Sequence, residues 1–109
     1  MSGKSSEATM FRVPRGYEDL GAVFRLAVEQ AAQGKGAQRH AVPGEPFRRQ
    51  PICEIERRVG GGYCIGQAVK KIYESQRLDR QAGMQELLGA INYLAAAFIV
   101  IREPEIEEK

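Results

Sequence analysis

Apolar side chains recur along most of this chain at steps of three and four, the period of helices with one covered face. From Tyr17 to Gln33 the repeat is Leu20, Val23, Phe24, Ala27, Val28 and Ala31. Glu18 and Asp19 fall in the first turn of that segment, where the helix dipole favours anions, and Gly34 and Gly36 stop it. Pro51 suits the first turn of a second, short helix, with Ile52, Ile55 and Val59 on one face and Gly60, Gly61 and Gly62 after it. A third helix from Tyr63 to about Gln76 is expected to turn Ile65, Ala68, Val69 and Ile72 inward and Gln67, Lys70, Lys71 and Glu74 outward. Asp79 is a good N-cap for a fourth helix from Arg80 to about Arg102, which Pro104 prevents from continuing.

The fourth segment is apolar beyond one stripe. Met84, Leu87, Leu88, Ile91, Leu94, Ala95, Phe98 and Ile101 form a wide face, and from Tyr93 onward Ala96, Ala97, Ile99 and Val100 make the opposite face apolar too. A helix apolar all round is buried all round, and three short helices offer little to cover it. A second copy is therefore expected to contribute, with Tyr93, Phe98 and Ile99 at the oligomer interface. The pattern predicts an all-α fold: a small, oligomeric helical bundle of about four helices with a C-terminal antiparallel helical hairpin. An extended arm occupies 1–16, the helical domain 17–102 with a basic loop at 34–51, and an acidic tail 103–109.

With 109 residues, 28% charged and 43% apolar, the chain fits one small domain and leaves no room for a second core. The formal net charge is only +2, but its distribution is uneven. The last seven residues hold four acids and one Lys, so the other 102 carry 15 bases against 10 acids. The opening MSGKSSEATM has no apolar h-region, and the longest apolar run, Tyr93 to Ile101, has nine residues, about half a membrane span. A soluble, cytoplasmic protein is expected. Cys53 and Cys64, with one His in the chain, offer no recognised zinc spacing and read as buried reduced thiols. No metal or other cofactor is expected.

Three constellations bear on chemistry. The first is the loop GKGAQRHAVPGEPFRRQP, 18 residues without a period. Loops this long inside compact domains are often functional. Its Lys35, Arg39, His40, Arg48 and Arg49 could surround an anionic small molecule such as a nucleotide, because Arg supplies bidentate donors and glycine lets the backbone approach.

The second, IERRVGGGYCIGQAVKKI from Ile55 to Ile72, resembles the helix-turn-helix DNA-binding motif, with Gly60 as the turn glycine and Ile65, Val69 and Ile72 as the packed face. The resemblance implies that Tyr63, Gly66, Gln67, Lys70 and Lys71 face a major groove. Glu56 stands where the motif needs a small residue.

The third, QELLGAINYL from Gln85 to Leu94, resembles the E-x-x-D helix of the all-α MazG-type nucleotide pyrophosphohydrolases, which implies Mg²⁺ held by carboxylates of two helices. Here Gly89 takes the Asp position, and Glu18, Asp19 and Ala22 would have to supply the companion set. With those ligands missing, no catalytic residues are expected.

Along its length, KGAQRHA, PFRRQPI and ELLGAINYLAAAFIVI resemble small accessory proteins encoded by tailed phages of bacteria. That resemblance implies an accessory role in the host cytoplasm, such as inhibiting a host-defence protein or sequestering a signalling nucleotide. The leading expectation is a non-catalytic homo-oligomer that binds an anionic ligand through the basic loop. A helix-turn-helix DNA-binding regulator is the alternative, and a MazG-like enzyme relative the third reading.

Overall fold

The structure, a computed structural model, describes residues 11–34 and 41–104. Within them the chain is all-α: α1 (Glu18–Gln33), a 3-10 turn (Phe47–Arg49), α2 (Pro51–Val59), α3 (Tyr63–Ser75) and α4 (Arg80–Arg102), with no strand. Lys35, Arg39, His40, residues 1–10 of the N-terminal arm and all of the acidic tail beyond Pro104 lie outside the described residues.

Local chemistry explains the helix ends. Asp79 accepts a hydrogen bond from the Ala82 amide at 2.8 Å and so caps α4, which stops in the extended backbone of Glu103 ahead of Pro104. Pro51 opens α2, and Gly60 ends it at φ 75°, a conformation that favours glycine. No side chain of its own segment caps α3. Instead Glu56 of α2, only 2% exposed, accepts the Cys64 amide at 2.8 Å and places an acid at the α3 N-terminus.

The long helix α4 is the centre of the fold. Rising numbers on α3 meet falling numbers on α4: Tyr63 packs edge-on to Tyr93, Lys71 reaches Glu86, and the Ser75 carbonyl faces Gly83. Gly83 and Gly89 permit this approach, since a Cβ there would lie 2.9 Å from the Ser75 oxygen and 2.9 Å from the Lys71 Cδ respectively. Gly62 and Gly66 border open space. The packed centre is Cys53, Cys64, Ala96 and Ala97, ringed by Phe47, Ile52, Tyr63, Tyr93 and Val100. On the other side α1 is tied to α4 by polar bonds, from Asn92 to the Ala27 carbonyl at 2.9 Å and from Gln30 to the Gln85 carbonyl at 2.9 Å.

Two expectations change. Ile65, Val69 and Ile72 are 42–45% exposed, whereas Cys64 and Ala68 are buried and Gln67, Lys71 and Glu74 half-buried. The side of α3 with small residues is the one that fits against Gly83, Gly89 and Ala90; the branched side chains are left outside. Periodicity locates a stripe but does not say what covers it. Further, α4 is long and apolar enough by length and composition to cross a membrane, with mean hydropathy 1.6 in its most apolar stretch. An interrupted run conceals this, because isolated polar residues such as Gln85 and Asn92 break the count without lowering the average much.

Candidate functional site

The basic segment enters the fold at a fixed point. Gln50, immediately before α2, accepts from the Val42 amide at 2.7 Å and donates to the Val42 carbonyl at 3.0 Å and the Glu45 carbonyl at 2.7 Å. One side-chain amide thus closes residues 42–50 into a ring, and Phe47 presses the 3-10 turn onto the core. Arg48 and Arg49 on that turn are exposed.

Beneath them, Arg57 donates to the Arg48 carbonyl at 2.7 Å, pairs with Glu103 at 2.6 Å and reaches Glu54 at 3.2 Å. The hydrogen bond from Arg57 holds the Glu103 carboxyl below its ordinary range, against a smaller opposing effect of burial. Arg57 is therefore neutralised, while Arg48 and Arg49 have no acid within ion-pair distance among the described residues. The structure brings these two arginines together; their expected partners Lys35, Arg39 and His40 lie outside it.

The residues suggested by the helix-turn-helix resemblance divide. Lys70 is exposed and Gly66 open, but Tyr63, Gln67 and Lys71 are half-buried on the side of α3 that meets α4. Tyr63 is held by Tyr93 with ring centres 6.0 Å apart, and Lys71 by Glu86 at 3.4 Å with its ammonium 5.9 Å from the Tyr93 ring centre. Burial and the hydrogen bond to Tyr63 push the Tyr93 hydroxyl up to about 12.

The carboxylates of the MazG-like pattern stay apart. Glu86 is committed to Lys71, and Glu18 folds back onto the Gly16 amide at 3.0 Å. The α1 residue beside this part of α4 is Gln30, bonded to Gln85. It stands three turns, about 18 Å, along the helix from Glu18. Gly89 holds the Lys71 stem where the Mg²⁺ pattern places an acid. Among the described residues no group of three His, Cys, Asp or Glu side chains could hold a metal ion.

No protein-family model, curated protein or solved structure matches this chain.

Of the interface set, Phe98 is 63% exposed, Ile99 is half-buried, and Tyr93 is half-buried against Tyr63. Sequence reasoning missed Gln50 and the cap by Glu56. The second left a signal, because Glu56 follows Ile52 by four and Cys53 by three and so belongs on the covered side of α2. Gln50 left none, since its partners are backbone groups that any residue provides. The thiols face the same core. Burial pushes Cys64 up to about 12, with the Glu56 charge adding to it, and burial likewise raises Cys53.

Proposed function

We propose that this protein is a non-catalytic, homo-oligomeric helical binding protein that takes an anionic small ligand of the nucleotide class at the basic turn before α2. The observation that carries the reading is the pair Arg48 and Arg49, exposed and with no acid within ion-pair distance among the described residues, on a turn pinned by Gln50. Two guanidinium groups on a braced backbone lose little freedom on meeting a phosphate, and each charge-assisted bond contributes about 1.5 to 3 kcal/mol. The α3 and α4 pair, a helical hairpin in this reading, is the scaffold and the oligomerising element. The likeness to accessory proteins of tailed phages supports a role in sequestering a nucleotide or blocking a host protein in the host cytoplasm.

Calorimetric titration with linear and cyclic nucleotides tests it. Binding should weaken roughly tenfold or more in Arg48→Ala and in Arg49→Ala and hold in Lys70→Ala. A flat titration across the panel overturns the reading. So does tight, steeply salt-dependent duplex-DNA binding that survives both arginine variants and fails in Lys70→Ala, which favours the DNA-binding alternative.

A further inference from the structure

Nothing in the described chain covers the apolar face shared by α3 and α4. Along α4, Met84, Leu87, Ile91, Leu94, Phe98 and Ile101 alternate steps of three and four. This is the 3.5-residue spacing of helices that interlock along a seam. Along α3, Ile65, Val69 and Ile72 follow the same rule. The helices meet through Cys64, Ala68 and Lys71 on one and Gly83, Ala90 and Tyr93 on the other. At about 100° per residue, each apolar stripe lies roughly a quarter-turn from that contact line. Because the helices run in opposite directions, both stripes turn to the same side of the pair. Ile91 is half-buried, and the other eight side chains are 42–76% exposed.

We propose that this face is covered by the same face of a second copy, so that two α3 and α4 pairs close into a four-helix core about a two-fold axis. The inference names the partner surface of the oligomeric reading above and rests on it. Area is the first argument. The eight exposed side chains present on the order of 800 Å² per copy, about what each partner buries in a stable complex and more than a lone soluble chain ordinarily leaves as one patch. Periodicity is the second, since a 3.5-residue stripe on both helices suits the shallow crossing angle of four-helix bundles.

Charge is the third. Between Arg80 and Arg102 the one charged side chain of α4 is Glu86, and Lys71 holds it away from the seam. The charge against the stripe is at its end, where the Arg102 guanidinium stands 5.5 Å from the Phe98 ring centre; the rest of the patch can face itself without like-charge repulsion. A lipid surface fits less well, because the remaining sides of α4 carry Gln85, Glu86 and Asn92, each bonded to α1 or α3. Drawing α4 into hydrocarbon would break all three attachments.

Light scattering at about 10 μM on the full chain, with far-UV circular dichroism, is the test. The wild type should show twice the 12.1 kDa chain mass. Leu94→Glu and Val69→Glu should each raise the dimer dissociation constant about 100-fold or more with helix content unchanged. Val28→Glu, at a 64% exposed position of α1, should leave the dimer intact. If a Glu variant loses helix, Ile72→Gln gives the same readout with a smaller perturbation. A wild-type monomer throughout the micromolar range overturns both this inference and the oligomeric reading. A dimer that persists in both Glu variants overturns this face alone, as does a larger assembly; a monomer that sediments with phosphatidylglycerol vesicles overturns both and assigns the face to lipid. Nucleotide titration of the Leu94→Glu monomer keeps the Arg48 and Arg49 site separately testable.

Discussion

Two regions on α3 and α4 use apolar residues in opposite ways. Where α2, α3 and α4 meet, the fully covered side chains are small: Cys53, Cys64, Ala68, Ala96 and Ala97, with the carboxylate of Glu56 among them. On the outer side of α3 and α4 the side chains are large, and Phe98 and Ile101 are 63% and 76% exposed. Small residues let helix backbones approach until few voids remain, so the centre of the corner is filled by small side chains with Phe47, Ile52, Tyr63, Tyr93 and Val100 around it. Large residues that cannot enter it still lose free energy to water, about 25 cal/mol per Å² of exposed apolar surface. Close packing holds the single chain together at the corner, and the outer face keeps the hydrophobic surface that the proposed dimer would cover.

The contrast breaks first at the buried acid. Glu56→Ala removes the acceptor of the Cys64 amide and empties space inside the corner, so urea unfolding at fixed protein concentration should lose about 3 kcal/mol. Glu56→Gln retains an acceptor and should lose about 1 kcal/mol. A smaller loss for Ala than for Gln would mean that the acid is a burden rather than the brace of α3.

A paired substitution sharpens it further. Ala96→Leu forces a larger side chain into a position with no exposed surface and should cost about 2 kcal/mol. Ile72→Gln, on the outer face, should change the stability of the dissociated chain by about 0.5 kcal/mol or less while weakening self-association. Equal costs in the monomer would erase the distinction between the two regions.

The smallest effect belongs to the rim of the corner, where Glu103 ties the end of α4 to Arg57 of α2. A carboxylate with a depressed pKa contributes stability that is present above its unfolded value, about 4.3, and is lost as pH falls through the folded value. Because Glu103 is 35% exposed, solvent screens the pair and the loss is small. Acid titration from pH 5 downward should therefore lower the unfolding midpoint less in Glu103→Gln than in the wild type. Identical acid profiles for the two proteins would remove the pair from the account.

Much of this fold is legible in the chain. Asp79 and Pro104 bracket α4, Pro51 and Gly60 bracket α2, and the three- and four-residue spacing identifies every helix. The candidate site is legible only in part. Arg48 and Arg49 stand out as a basic pair, but nothing in the spacing shows that Gln50 fixes their turn or that Arg57 is already paired with Glu103, 46 positions away. The helix-turn-helix and MazG-like patterns are real spacings whose residues the fold uses otherwise: Lys71 and Glu86 bond each other, and Gly89 makes room for the lysine stem.

The helix count, the helix ends and the existence of apolar stripes follow from local sequence, because capping, proline geometry and the 3.6-residue period act within a few residues of one another. Which stripe is covered is settled by packing between helices. That choice depends on how closely two helices can approach, and the approach is set by glycine, alanine and cysteine at positions far apart in the chain. Gly83 and Gly89 bring the small side of α3 against α4, and Ile65, Val69 and Ile72 are left facing outward.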